Sequence, residues 1–403
     1  MYGSGRHHQA LNGIRVLDFT RLLAGPYATR LLADSGAEVI KVQSRRTALG
    51  AEANSTPGFV NWNRGKLGIT LDMSQPGAKK LALRLVAVSD VLVENFSPRV
   101  MQNWGLGYEV LNGINGRLVM ASMSAMGHSG PWREFVALAP TIHAFSGMTY
   151  LTAYDKQRPV GPGFPHADMI SGLYAGCAIL SALESREGTG KGQHIDISEY
   201  EAECSLLGPA LLKCTANRDA ARPGYNSSQA GVTAAPHGHF RCQGEDSWCA
   251  ISCASDDEWQ AMCRVMKQPV WLCDERFADV ASRQSHAAEL RSLMEAWTTR
   301  HTAEEAMRLL QLAGVPCGVV RPVGDLMNDP QLLSEGFFTV MSHPFLRQVR
   351  VTTDRSAVRL SRTPSAIRKS APLLGEDNSY VFGTLLGLPD WEIEELVAEG
   401  VIA

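Results

Sequence analysis

Residues 14–42 read IRVLDFTRLLAGPYATRLLADSGAEVIKV, and this stretch decides the fold. Ile14 to Asp18 is a strand-like run, Pro26 to Ala33 reads as a helix, and Glu38 to Val42 reads as a second strand. Pro26 suits the first helical turn, where its missing N–H is not needed, and Gly36 suits the helix exit. The unit recurs. Gly77 to Val88 predicts a helix running into a strand at Val91 to Asn95, and Leu118 to Ser122 a further strand. Strands alternating with helices predict an α/β fold built on a parallel sheet with helices on its faces.

Further along, Asp168 to Ser185 predicts a long helix in which Ile170, Leu173, Tyr174, Cys177 and Leu180 share one face. Asp168, Gly172, Ala175 and Gly176 make a second stripe of small side chains. Gln193 to Ser198 alternates like a strand, and a helical segment extends to about Thr215. Ala221 to Gly238 is rich in Gly, Pro, Ser and Asn, as a linker is. Gly238 to Ser252 alternates like a hairpin turning at Gln243 to Asp246, and two or three helices follow up to Ala313. From about Pro330 the chain reads as extended, then as helices at Asn378 to Leu386 and Asp390 to Ala398. We therefore divide it into a large domain (1–215), a linker (216–237), a small domain (238–325) and a C-terminal part (326–403) returning to the large domain.

Composition excludes several classes. The net charge of -3 gives no electrostatic case for nucleic acid. No apolar stretch reads as long enough to span a bilayer, and the N-terminus MYGSGRHHQALNG lacks the apolar core of a secretory signal. Nine cysteines without a C-x-x-C read as free, buried thiols in a reducing cytoplasm. Cys177, in mid-helix, reads as packing rather than as a thiolate. His237 and His239 share a strand face but lack a third ligand, so no metal is expected.

Candidate chemistry lies in a few places. The turn Arg21 to Pro26 (RLLAGP) offers free N–H groups at a helix N-terminus, a natural phosphate cradle, although no G-x-G-x-x-G is present. Arg45 and Arg46 follow the second strand, at the carboxyl edge where open α/β sheets bind ligands. Asn63-Arg64-Gly65-Lys66 reads equally as a phosphate loop or a polar turn. Asp168 reads as a helix cap. It reads as well as a nucleophile kept ionised by helix N–H groups and the helix dipole, with the glycine stripe leaving room for a thioester. The residues alone leave both readings open.

The chain resembles the class III CoA-transferases, a family that includes formyl-CoA transferase and α-methylacyl-CoA racemase. The resemblance runs from about Leu11 to the end. It is carried by LNGIRVLDFTRLLAGPYATRLLADSGAEVIKV, NRGKLGITLDMSQPGAKKL, DVLVENFSPRVMQNWGLGYEVL and GHSGPW, then by the Asp168 helix with REGTGKGQHIDIS, DERFADVASR, LAGVPCGVV and APLLGEDN. It implies a Rossmann-like large domain plus a small α+β domain in an interlocked-ring dimer, with acyl-CoA as substrate and no tightly bound cofactor.

Asp168 matches the family's nucleophile, which passes through an aspartyl-acyl anhydride and an aspartyl-CoA thioester. By position, the CoA contacts are Leu23, Ala24, Ser44, Leu71 through Ser74, Asn95, Phe96, Asn103 and Trp104. Ser44, Ser74 and Asn103 replace basic residues of formyl-CoA transferase, and Leu23 replaces a glutamine. Arg45 or Arg46 would then supply the displaced charge. That enzyme's glycine-run loop has no counterpart here. These departures point away from formyl/oxalate exchange, towards transfer from a donor such as succinyl-CoA to an aromatic or branched carboxylic acid.

Two alternatives stand beside this. A 2-methylacyl-CoA racemase needs a histidine where Leu138-Ala139 stand, with His128 and His143 nearby but out of register. A non-catalytic supporting subunit would pair with a homologous chain, so the partner is a second copy or such a homologue.

Overall fold

The computed structural model describes residues 9–153, 158–217, 234–344 and 351–402. Its main feature is a sheet of six strands: β1 (Arg15–Asp18), β2 (Glu38–Gln43), β3 (Leu67–Thr70), β4 (Val91–Glu94), β5 (Val119–Ser124) and β6 (His194–Ser198). All pairings are parallel, in the order β3-β2-β1-β4-β5-β6. That is the order of a doubly wound nucleotide-binding sheet, and it reverses direction between β1 and β4.

Alternate residues of each strand supply two cores, as the two-residue period requires. Leu17, Ile40, Ile69, Leu92 and Met120 meet Leu81 and Leu85 of the helix Pro76–Ala87, together with Phe382 and Val401 from the C-terminal part. Val16, Val39, Val93 and Ala121 meet Ala28 and Leu32 of the helix Ala24–Asp34 and Ala175 and Ile179 of the helix His166–Thr189. Burial on both faces explains why these strands read as continuous apolar runs.

The helix His166–Thr189 ends at Gly190, whose φ of 72 is the left-handed conformation that glycine adopts without strain. At 24 residues it is, by length and composition, apolar enough to cross a membrane, contrary to the expectation that no stretch is. Here it packs along Ala24–Asp34, β5 and β6, while Leu173, Tyr174 and Leu180 on its other face stay exposed.

The chain divides into two compact units, one within Met1–Met148, Gly161–Leu206 and Gln331–Ala403, the other within Thr149–Val160 and Leu207–Pro330. These boundaries differ from the sequence division at 215 and 326, and Thr149–Val160 goes with the second unit. Most of the expected linker, 218–233, lies outside the described residues. The C-terminal part is tied to the first unit by side chains on backbone. Asp377 accepts the Gly68 N–H at 2.8 Å, and Asn378 accepts the Thr70 N–H at 2.9 Å. Within it, β10 (Phe338–Met341) pairs antiparallel with β11 (Val351–Asp354), a pair not read from the sequence.

The second unit holds an antiparallel sheet, β7 (His237–Arg241), β8 (Trp248–Ser252) and β9 (Cys317–Val319), in that order. Four α-helices lie between β8 and β9, where two or three were expected. The unforeseen one, Val280–Ser285, is too short to show a period and is set by its Asp279 cap, which accepts the Ser282 N–H at 2.7 Å. Cys249, Cys253, Cys263 and Cys317 are buried in this unit, whereas Cys177 and Cys273 are exposed. Cys177 is thus not a packing residue within this chain.

Candidate active site

Asp168 is the third residue of its helix, which starts at His166 after Pro165. It therefore sits inside the first turn and is not the cap; no side chain caps this helix. The backbone N–H groups of Asp168 itself and of Ala24, the first residue of the helix that follows β1, favour its charge. Burial nevertheless outweighs both donors and pushes the carboxyl up to about 6. Helix N–H groups moderate the loss of hydration without cancelling it.

The approach of the two helices depends on Gly172. A Cβ there would lie 2.8 Å from the Tyr27 ring and 2.9 Å from the Ala24 carbonyl oxygen. Gly172 and Ala175 are buried, so that part of the small stripe is spent on helix packing, whereas a Cβ at Gly176 would meet nothing within 4 Å. The large face is the open one: Leu173, Tyr174 and Leu180 are each more than 40% exposed. The helix buries the face that looks weakly hydrophobic and exposes the one that looks like core.

The loop after β1 is strained and clasped. Leu22 has φ of 61, a left-handed conformation costing a branched residue roughly 1–3 kcal/mol. Its N–H is held at 2.6 Å by Oε1 of Glu52, a buried carboxylate. Asn95, after β4, accepts the Arg21 N–H at 2.7 Å and donates to the Arg21 carbonyl at 2.9 Å. The Asn95 amide thus bridges the point where the sheet reverses, with one N–H and one oxygen lone pair left over. Leu23 is half-buried just before the helix, and Ala24 is buried.

The other candidate positions follow β2, β3 and β4. Ser44 is buried, with its hydroxyl 3.2 Å from that of Thr47. Arg45 and Arg46 are exposed, and Arg46 reaches the Ser74 hydroxyl at 3.5 Å, joining the loops after β2 and β3. Ser74 is otherwise fixed to Asp72 by its N–H and hydroxyl at 2.9 and 2.8 Å. Leu71 is a core residue. Phe96 meets Trp104 edge-on at 5.3 Å, Trp104 also packs on Phe19, and Asn103 is exposed at the end of the helix Arg99–Asn103. The exposed arginines beside Ser74 are what the phosphates of a CoA-like ligand require.

Asn63-Arg64-Gly65-Lys66 is the polar turn, with Gly65 at φ of 78, and its polar side chains are turned into the protein rather than towards a phosphate. Lys66 is fully buried and donates to Asp18 at 2.9 Å, Asn63 at 2.8 Å and the Pro26 carbonyl at 3.1 Å. Arg64, also fully buried, clasps Asp34 at 3.2 and 2.7 Å and reaches Thr353 at 2.6 Å. Burial opposes the charge of Asp18, but Lys41 and Lys66 win and hold it near 2. Burial pulls Lys66 down to about 8 against the attraction of Asp18.

His143, named in the sequence, is joined at the first turn of the Asp168 helix by His166 and Glu203, which the sequence reading missed. His143 is buried in the helix Ala139–Ser146, and its Nε2 accepts the Ala167 N–H at 3.2 Å. That lone pair is therefore not free to act as a base. Glu203, fully buried, lies 3.2 Å from Nδ1 of His166. His128 belongs to a different cluster: its N–H bonds Asp196, and its ring lies 3.8 Å from Glu94, whose carboxyl burial pushes up to about 7. Leu138 is exposed at the start of the helix that holds His143. Among the described residues no group of three or more His, Cys, Asp or Glu is arranged to hold a metal ion.

A profile of CoA-transferase family III matches residues 11–378. The chain is 34% identical over 412 residues to the succinyl-CoA–L-malate CoA-transferase alpha subunit of Chloroflexus aurantiacus, covering 99% of this chain and 94% of that protein. It is 30% identical to the succinyl-CoA–D-citramalate CoA-transferase of the same organism, covering 99% of this chain and 100% of that one. The crystal structure of a CaiB/BaiF family protein from Brucella suis superposes with a TM-score of 0.83 at 30% identity, over 94% of this chain and 99% of that one.

Proposed function

Because the chain belongs to CoA-transferase family III and relatives matched over nearly its whole length are named CoA-transferases, we propose that it moves CoA between carboxylic acids through covalent intermediates on Asp168, with succinyl-CoA as donor. One observation carries the assignment of the nucleophile. Asp168 is a partly desolvated carboxylate inside a helix turn, its charge favoured by the Ala24 N–H, and burial pushes its carboxyl up to about 6. At neutral pH it is ionised yet poorly hydrated, the state in which a carboxylate attacks best.

The steps balance as two exchanges. Asp168 attacks the thioester carbonyl, the C–S bond breaks, and a mixed anhydride forms with release of the CoA thiolate. The thiolate attacks the aspartyl carbonyl and frees succinate, leaving an aspartyl-CoA thioester. The acceptor carboxylate attacks that thioester to give a second anhydride and thiolate. The thiolate then attacks the acceptor carbonyl, and Asp168 returns as a carboxylate. Leu23 and Ala24 line the approach to the nucleophile, and Arg45, Arg46 and Ser74 take the CoA phosphates. Backbone after Ser44, Leu71 and Asn95 contacts the nucleotide, while Phe96, Asn103 and Trp104 border it.

The names of the two relatives support succinyl-CoA as donor and a short hydroxy-dicarboxylate as acceptor, so malate and citramalate head the acceptor screen, with aromatic and branched acids as its other arms. We assign the assembly as an interlocked pair, either two copies or this chain with a homologue, the latter supported by the subunit designation of the first relative.

The test is intact mass after mixing the protein with succinyl-CoA. The wild type should gain the mass of CoA less water on Asp168, and Asp168→Asn should gain none and transfer nothing. Near-normal transfer by Asp168→Asn would sink the mechanism.

A further inference from the structure

Glu199 opens the short helix Glu199–Ser205 directly after β6, and it is only 8% exposed. The helix is fixed at this end. The Ser198 hydroxyl accepts the Glu201 N–H at 3.2 Å, and the Tyr200 N–H is donated to the Ala125 carbonyl at 2.9 Å. It packs against the Asp168 helix and against Ala139–Ser146. Residues four apart share a helix face, so Glu199 and Glu203 point the same way. Glu203 reaches His166 in the first turn of the Asp168 helix at 3.2 Å. One turn earlier Glu199 is buried on the helix that packs against the Asp168 helix, near enough to feel the charge of Asp168. Burial, then the like charge of Asp168, pushes the Glu199 carboxyl up to about 8.

The groups around it are accounted for. From the Asp168 helix come His166, paired with Glu203, and Tyr174, bonded to Ser205 at 2.8 Å. From Ala139–Ser146 comes His143, whose Nε2 is occupied by the Ala167 N–H. From β6 comes Asp196, which accepts the His128 N–H. On its own helix stand Tyr200, Glu201 and Glu203. Among the described residues no cation forms an ion pair with Glu199. Two carboxyls that feel each other's charge in a partly desolvated site cannot both ionise without strong repulsion.

We propose that Glu199 is a positioning residue for Asp168: it stands beside the nucleophile as a neutral acid, and its ionisation shuts transfer off. This rests on Asp168 being the nucleophile. With Glu199 protonated, the site presents one negative charge to the thioester. With Glu199 ionised, a second charge repels the incoming carboxylate and the thiolate that must linger beside the anhydride. The pair loses protons in two steps, and the working form is the one between them.

The experiment follows aspartyl-CoA formation from succinyl-CoA across pH for the wild type and Glu199→Gln, with infrared titration of the carboxyl bands in parallel. The wild-type rate should rise through about pH 6 and fall through about pH 8. Glu199→Gln should keep the acid limb and most of the neutral-pH rate but lose the alkaline fall. The infrared spectrum should hold a protonated-carboxyl band at neutral pH that is absent in Glu199→Gln. In Asp168→Asn the disappearance of that band should move to lower pH, because the like charge is gone. An alkaline fall that persists unchanged in Glu199→Gln overturns the proposal. Absence of the band from the wild type overturns it too, and this measurement decides the matter if Glu199→Gln does not fold. No adduct in the wild type at any pH overturns the Asp168 reading and this one with it, whereas an adduct with an unaltered alkaline limb overturns this one alone.

Discussion

Asp168 shows how far a residue type and its position can mislead together. An aspartate at the start of a helix is ordinarily stabilising, since N–H groups and the dipole favour its charge. Here burial reverses the sign, and the carboxyl sits near 6 instead of its unperturbed 3.8. The folded chain therefore binds this proton more tightly than the unfolded chain does. A raised pKa contributes stability below the unfolded value of 3.8, and that contribution is lost as pH rises through about 6. Asp168→Asn carries the uncharged shape at every pH. We expect it to melt higher than the wild type well above pH 6, with the gap closing well below it, in thermal melts followed by circular dichroism. A variant that melts lower at neutral pH would mean that the carboxylate serves the helix, which is the capping reading in another form. Glu199 escaped the sequence for a related reason. An acid in the first turn after a strand looks like dipole complement, and only the fold buries it within reach of the charge of Asp168.

At the scale of elements, the loop Asn63 to Lys66 makes the sharpest contrast. Its basic residues invite a phosphate, yet Lys66 and Arg64 are fully buried against Asp18 and Asp34. Breaking one side of a buried pair costs about 3–5 kcal/mol because it leaves the other charge stranded. Lys66→Met should therefore lower the melting temperature strongly, and Asp18→Asn in the same chain should restore part of the loss, as a double-mutant cycle in urea would measure. A phosphate-loop residue would instead leave stability intact and weaken CoA binding; that pattern would return the loop to the ligand. The strands β1, β2, β4 and β5 were legible because their apolar runs are local and their burial is two-sided. Arg64 was not, since Thr353, one of its acceptors, is brought in by β11 from the far end of the chain. The Asp168 helix was legible in existence but inverted in orientation. Its contact with Ala24–Asp34 is made through Gly172 and Ala175, which a hydrophobic period undervalues, while Leu173, Tyr174 and Leu180 stay exposed.

For the whole molecule, those exposed side chains argue that the single chain is incomplete. Leu173, Tyr174 and Leu180 line the open face of one helix, and Trp132, Phe135, Val136, Leu138 and Phe145 are exposed close by in sequence. Trp132 stacks on Phe135 at 5.8 Å and tilts against Phe145 and Tyr200, a preformed aromatic cluster rather than scattered single residues. Clustered exposed apolar side chains of this kind mark a surface that something else covers. The interlocked pair proposed above would cover it, because two threaded chains can cover each other's long helices over their full length. Such a pair cannot separate by simple dissociation; each chain must open before the other is released. The purified chain should therefore scatter light with twice its 43.8 kDa mass and keep that mass on dilution far below the range where ordinary dimers fall apart. Mixed with a differently tagged copy, it should exchange subunits only at denaturant concentrations that also unfold it. Free exchange in buffer would reduce the assembly to an ordinary interface. A monomer that still forms the aspartyl-CoA adduct would show that one chain completes the site by itself.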